Sequence, residues 1–152
     1  MKGFWGKKEN LKTYSLILVP LILGFLINSP ILGYYFPFLL SVAFLGFWFW
    51  VGMKFAKLNQ NRAFSLLIGN SLNMISFFLF IWSFYVLADE NRNLLIAVFS
   101  QNYAGPTLSI SAAIYLLTGP KVLTNEYVII SYILMAVVFA AGFFYEVLVN
   151  QK

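Results

Sequence analysis

Apolar and polar positions follow each other along this chain in long blocks. No charged residue occurs from Thr13 to Met53. A membrane-spanning helix needs about 20 apolar residues, and this run is long enough to predict two helices rather than one. Proline disfavours helix in the residue before it, which places the break at Asn28-Ser29-Pro30. We therefore predict helices at about 13–28 and 31–53.

Two further apolar runs and one mixed segment make up the rest of the chain. Residues 63–88 are uncharged and long enough to cross a bilayer with some tilt, and the last run is 127–149. Between them, 93–118 is also uncharged, but Asn, Gln, Ser and Thr recur throughout it. The pattern predicts an all-α, polytopic helical membrane bundle, one transmembrane domain over 1–152. It has five transmembrane helices, or four plus a re-entrant or surface segment at 93–120.

Polar and small residues recur at helical spacing within the third predicted helix. They are Ser65, Gly69, Asn73, Ser76 and Ser83, with Asn70 beside them. Intervals of three, four and seven residues place such positions on one helix face. Polar side chains within a bilayer face protein or a water-filled cavity. Asn70, Asn73 and Ser76 are therefore candidates for a helix interface, or for the lining of a ligand or ion path.

The segment 93–118 carries a second stripe with the same rhythm. It comprises Asn93, Ala97, Ser100, Ala104, Thr107, Ser111, Tyr115 and Thr118. This spacing favours a helix over a loop, and Pro106 removes one helical hydrogen bond. We predict a hinge at Gly105-Pro106, either a plain structural kink or part of a binding element. The candidate ligand or helix-interface residues around the hinge are Ser100, Gln101, Asn102, Thr107 and Ser111.

Basic residues are concentrated at predicted helix ends. The net charge is +5, with four Lys in residues 1–12 and three Lys or Arg in 54–62, against one at 89–92. This asymmetry predicts a cytoplasmic N-terminus in the cell membrane. Ile27-Asn28-Ser29-Pro30 is a poor cleavage site and a second apolar run follows at once, so the first run is predicted to be an uncleaved signal anchor. Anionic lipid headgroups on the cytoplasmic side are the expected partners of these charges. Because the charge follows the helix ends, nucleic acid is not an expected partner.

The chain lacks the side chains that most often carry out chemistry. It has no His and no Cys, which excludes zinc sites and haem ligation built on those residues. Asp89-Glu90 is the only acidic cluster, and we expect it to end a helix in water. Glu146, near the end of the last run, is a candidate proton carrier or ion-pair partner. No enzymatic activity, metal or cofactor is predicted.

The predicted loops are short, so recognition must take place within the bilayer or at its surfaces. We expect a non-enzymatic subunit, accessory or binding protein of a membrane complex, with a membrane-protein partner or a second copy of the chain. The alternative is a small oligomeric transporter or channel whose path is lined by polar residues of the third and fourth helices. Flux in liposomes would favour the transporter, and co-purification with a partner would favour the subunit.

Overall fold

The computed structural model describes residues 10–27, 37–58, 60–119 and 122–149. Regular structure in these ranges is helical, and no strand occurs in them. The predicted all-α helical bundle is thereby confirmed. The break predicted at Asn28-Ser29-Pro30 and the start predicted for the second helix at residue 31 lie outside the described residues. The predicted end of that helix at Met53 is extended to Ala56.

The described residues form six helices, which we number in chain order. They are α1 (Asn10–Ile27), α2 (Pro37–Ala56), α3 (Arg62–Val86), α4 (Leu94–Ala104), α5 (Leu108–Leu117) and α6 (Glu126–Val149). A 3₁₀ turn at Gly105–Thr107 joins α4 to α5, and Trp82–Val86 is a π turn that ends α3. Four of these helices, α1, α2, α3 and α6, are long and apolar enough to cross a membrane.

Three of the helix boundaries follow from local side-chain and backbone chemistry. The Asn61 side chain accepts the N–H of Ala63 at 2.9 Å before α3, and that of Asn93 accepts the N–H of Leu95 at 3.0 Å before α4. These side chains satisfy N–H groups that have no partner inside the helix. Gly119 follows α5 with φ +116°, a conformation that favours glycine and stops the helix.

Contacts between α3 and α6 give the relative direction of these two helices. The side chain of Asn73 on α3 donates to the carbonyl of Tyr132 on α6 at 3.2 Å. Gly69, one turn earlier on α3, packs against the ring of Phe139, further along α6. The two helices are therefore antiparallel, so α3 ends where α6 begins.

The segment between α3 and α6 consequently starts and finishes at one end of the bundle. Tyr115, near the end of α5, lies within 3.5 Å of Glu126 at the start of α6, which is consistent with this path. Residues 94–117 enter the bundle as α4, bend at Gly105–Thr107 and return as α5. Within the bundle this path agrees with the four-span alternative, and we call residues 94–117 the re-entrant segment.

Charge separates the two ends of the bundle. The end where α1 and α3 begin, which we call the basic end, carries four of the five described basic residues: Lys12, Lys54, Lys57 and Arg62. There the Nζ of Lys57 lies 3.1 Å from Oε1 of Glu146, joining the end of α2 to that of α6. The opposite end carries Arg92 and three of the four described acidic residues, Asp89, Glu90 and Glu126.

Helices α2 and α6 pack closely through two glycines. A Cβ added to Gly52 would lie 2.2 Å from the carbonyl oxygen of Phe139, and one added to Gly142 would lie 2.0 Å from that of Phe49. The two backbones therefore touch at positions where only glycine fits. Trp48 fills the space beside them and is fully buried, its ring centroid 5.6 Å from that of Phe139. Aromatic side chains thus occupy the interior of the bundle.

Candidate functional site

Polar residues of α3, α4, α6 and the 3₁₀ turn meet in a buried group that we call the polar seam. Its members are Asn73, Ser76, Ser100, Thr107, Ser131 and Tyr132. The Tyr132 hydroxyl donates to the Ser100 carbonyl at 2.5 Å and lies 3.1 Å from the Ser76 hydroxyl. Together with the Asn73 bond to the Tyr132 carbonyl, these contacts join α3, α4 and α6. Hydrogen bonds of this kind stabilise helix association in a bilayer.

The other part of the seam surrounds the predicted hinge. In a continuous α-helix the Ala104 carbonyl would accept the N–H of Leu108, but in the 3₁₀ turn this N–H bonds to Gly105. Two hydroxyls take its place: that of Ser131 donates to the Ala104 carbonyl at 2.9 Å, and that of Thr107 donates at 3.2 Å. The Thr107 and Ser131 hydroxyls also contact each other. Protein groups therefore satisfy the carbonyl that the break releases.

A second carbonyl at the break is covered by α1. Pro106 has no N–H, so the Asn102 carbonyl lacks its usual helical donor and accepts the N–H of Gly105 instead. A Cβ added to Gly24 would lie 1.7 Å from this oxygen. Only glycine allows α1 to pack this closely, and Gly24 therefore holds α1 against the re-entrant segment.

Beside the break lies a cleft of about 300 Å³, which we call the break cleft. It is lined by Val98, Gln101, Asn102, Leu108, Tyr127 and Val128. Asn102 is 3% exposed, Gln101 is half-buried, and Val98 is 49% exposed at the cleft's edge. Two amide side chains and Tyr127 thus border this space together with three apolar residues. Amides offer both donors and acceptors, which suits recognition of a neutral polar group.

The remaining candidate residues lie elsewhere. Asn70 is buried and donates to the Leu66 carbonyl of its own helix at 3.2 Å. Ser111 is fully buried on α5, and within the described part of the chain its hydroxyl has no hydrogen-bond partner. Glu146, 5% exposed, pairs with Lys57 at the basic end. The structure therefore separates the candidates into the seam, the break cleft and these three positions.

Sequence reasoning missed several residues that build the site. Ser131 and Tyr132 supply the α6 side of the seam, Tyr127 lines the break cleft, and Gly24 supports the break. The adjacent Ser131-Tyr132 pair inside the last apolar run was an available signal, because buried polar residues require partners. Gly24 offered no comparable signal, since nothing in the sequence around it reveals which helix approaches it.

Fold and site together define an all-α bundle that has four helices apolar enough to cross a membrane and a broken segment that enters and leaves the bundle at one end. No known protein family, curated protein sequence or solved structure matches the chain. Among the described residues, no group of three His, Cys, Asp or Glu side chains could hold a metal ion. The hydrogen-bonding groups of the seam and the break cleft are therefore the basis for proposing a function.

Proposed function

We propose that this protein is a non-enzymatic integral membrane subunit, accessory or binding protein that engages its partner at the break cleft. The observation that carries the proposal is the position of Gln101 and Asn102, two amides that border an accessible cleft beside a re-entrant break. Polar side chains at membrane depth commonly serve substrate sites or helix contacts. Here the seam uses its hydrogen bonds internally, whereas the cleft is open to a second molecule.

The polar lining of the cleft argues against catalysis as its role. The polar residues that line it are Gln101, Asn102 and Tyr127, and these described residues provide neither a carboxylate nor a thiol or amine nucleophile. General acid–base catalysis requires a group whose protonation changes near the working pH. Amides do not titrate there, so they suit binding rather than proton transfer.

A small oligomeric transporter or channel is the second candidate. The broken helix favours it, because discontinuous helices form many substrate sites in transporters. Inside a single bundle, however, Trp48, Tyr132 and Phe139 fill the centre and the polar seam is bonded to itself. A conducting path would therefore run between copies of the chain.

We further propose that the protein lies in the cell membrane with the basic end in the cytoplasm. Four of the five described basic residues lie at that end, and cytoplasmic loops are enriched in Lys and Arg. The break cleft then opens toward the outer half of the bilayer, because the re-entrant segment enters from the opposite end. An outward-facing partner or ligand is the consequence of this orientation.

Photo-crosslinking from the edge of the cleft tests the proposal. Val98 is replaced by a photoreactive phenylalanine in cells, and Phe78, 67% exposed on α3, provides the matched control position. We expect a discrete adduct from position 98 and only lipid adducts from position 78. Adding Gln101→Leu should reduce the yield from position 98 several-fold, because the amide would no longer hold the partner.

The outcomes separate the two candidates. A protein or small-molecule adduct at position 98, without flux from purified protein in liposomes, supports a binding subunit. Flux that Gln101→Leu abolishes supports the transporter instead. Identical lipid-only adducts at positions 98 and 78, with no flux, would show that the break cleft binds nothing and would end both proposals.

A further inference from the structure

A second, larger cleft of about 500 Å³ lies at the basic end, between the start of α1 and the end of α2. Its lining includes the three lysines Lys12, Lys54 and Lys57. It is separated from the break cleft along the bundle, because α2 and α6 end here while the re-entrant segment enters from the other end. The two clefts share no lining residue.

The electrostatic field of this cleft is positive. Among the described residues, one carboxylate faces the lysines from the neighbouring α6, that of Glu146, and it is paired with Lys57 at 3.1 Å. Lys57 remains 55% exposed in this pair, so its ammonium group stays accessible from the cleft. The Nζ of Lys54 lies 5.1 Å from the centre of the Trp50 ring. Three described lysines against one described carboxylate leave an excess positive charge that an anion would neutralise.

The walls of the cleft are both polar and apolar. Leu16 and Leu58 contribute apolar surface, and Trp50, 43% exposed, lies between the apolar helices and the charged end. Tryptophan is enriched at this level of a membrane, where its ring meets the headgroups. A molecule that matches these walls carries a negative charge next to apolar chains.

We infer that this cleft binds the phosphate headgroup of an anionic phospholipid. The lysine ammonium groups act as point charges that contact phosphate oxygens, and the apolar wall accepts the glycerol and the first part of an acyl chain. Basic pockets between helices at the cytoplasmic surface recognise lipid headgroups in this way. The bound lipid would bridge α1 and α2 at the basic end.

Lipid binding measured by native mass spectrometry tests this inference. The purified full chain is titrated with phosphatidylglycerol and, in parallel, with phosphatidylcholine of the same acyl chains. We expect phosphatidylglycerol to bind at least tenfold more tightly than phosphatidylcholine. At low lipid concentration, one phosphatidylglycerol molecule should stay bound to each protein chain. Lys12→Gln with Lys54→Gln should weaken phosphatidylglycerol binding about 25-fold, since each lysine near an anionic surface contributes about a factor of five.

A matched control lies at the same end of the bundle. Arg62 is exposed at the start of α3 and does not line the cleft, so Arg62→Gln removes the same type of charge outside it. We expect Arg62→Gln to change phosphatidylglycerol binding by less than a factor of two. If phosphatidylglycerol binding fell equally in the control and in the double variant, the lipid would be held by the general positive charge of this end. That result would overturn the proposed site.

Free inorganic phosphate carries the same anionic group as the lipid headgroup and could bind the same lysines. Inorganic phosphate at millimolar concentration is added to the lipid-bound protein in a third arm. We expect the lipid to stay bound, because the apolar wall holds a part of the ligand that phosphate lacks. Displacement of the lipid by phosphate, or equal binding of the two lipids, would overturn the assignment to an anionic phospholipid.

Discussion

The polar seam and the break cleft share helix α4 but end in different environments. Asn73 of the seam lies on α3 and bonds to the Tyr132 carbonyl. Gln101, on α4, lies one residue after the seam member Ser100 and faces the accessible break cleft. Periodicity therefore identifies the helix face that packs against protein, and the cleft lies beside that face rather than on it.

The difference depends on which α6 residues each group faces. Ser131 and Tyr132 bring hydroxyls to the seam, so nearly every described polar group there finds a protein partner. The cleft faces Tyr127 and Val128, which leave space beside the two amides. A polar residue of α4 therefore becomes a binding candidate only where the neighbouring helix leaves space beside it.

The most decisive test of this comparison concerns the path of the re-entrant segment. The chain has no Cys, so single thiols can be placed at Glu90→Cys and Leu123→Cys without background. With four spans, both positions lie at the same end, and a membrane-impermeant thiol reagent should label both or neither in intact cells. Labelling of one position alone would mean that 93–120 crosses the membrane, and the break cleft would then lie on a fifth span.

The next largest expected effect is on stability, at the close contact of Gly24 with the break. Gly24→Ala places a Cβ 1.7 Å from the Asn102 carbonyl, so α1 must move away from the break. We expect the free energy of unfolding to fall by about 1–3 kcal/mol, the usual range for overpacking. Unfolding by SDS in mixed micelles, followed by circular dichroism, measures this change.

Gly46→Ala is the control for that variant. A Cβ at Gly46 meets no described atom within 4 Å, so the added methyl causes no overlap there. Alanine favours helix over glycine, and we expect stability to be unchanged or raised by up to about 1 kcal/mol. If the two variants unfolded alike, the close approach of α1 to the break would be refuted.

The smallest expected effect on stability compares the amide of Asn73 in the seam with that of Gln101 at the break cleft. Asn73→Leu removes the bond to the Tyr132 carbonyl, but it also removes Asn73 Oδ1, a buried atom that has no partner among the described residues. We expect a loss of about 0.5–1 kcal/mol, near the average for such bonds in membranes. Gln101→Leu should change stability by less than about 0.5 kcal/mol, as substitutions of accessible residues usually do.

The same two variants should affect partner binding in the opposite order, with the larger loss in Gln101→Leu. Gln101→Leu is expected to lower the crosslinking yield from position 98, and Asn73→Leu to leave it unchanged. If instead Asn73→Leu lowered the yield while the protein stayed folded, the seam and the cleft would form one functional unit.

Much of the fold could be predicted from the sequence because lipid imposes a simple rule. Apolar runs long enough to cross a bilayer predicted the four long helices, and Pro106 lies in the 3₁₀ turn Gly105–Thr107 that joins α4 to α5. The asymmetry of Lys and Arg also separated the two ends. These features depend on local composition, which one sequence contains in full.

The return path of the re-entrant segment could not be predicted in the same way. The charge pattern is compatible with four or five spans, since Lys121 and Lys152 simply exchange sides. The segment returns to its starting end because α6 runs antiparallel to α3, and this direction depends on contacts such as that of Gly69 with Phe139. The close approach at Gly24 likewise depends on which helix lies opposite, and this information is tertiary.

The bonds from α6 to the re-entrant segment also have a consequence for biosynthesis. α4 leaves the ribosome before α6, yet the Ser100 and Ala104 carbonyls are bonded by Tyr132 and Ser131 of α6. We therefore expect residues 94–117 to wait at the membrane surface until α6 has entered the bilayer, and only then to take their place. A Gln101→Cys chain that ends before residue 126 and has been released from the ribosome into membranes should react with a water-soluble thiol reagent faster than the complete chain. Equal reactivity would show that the segment inserts without α6.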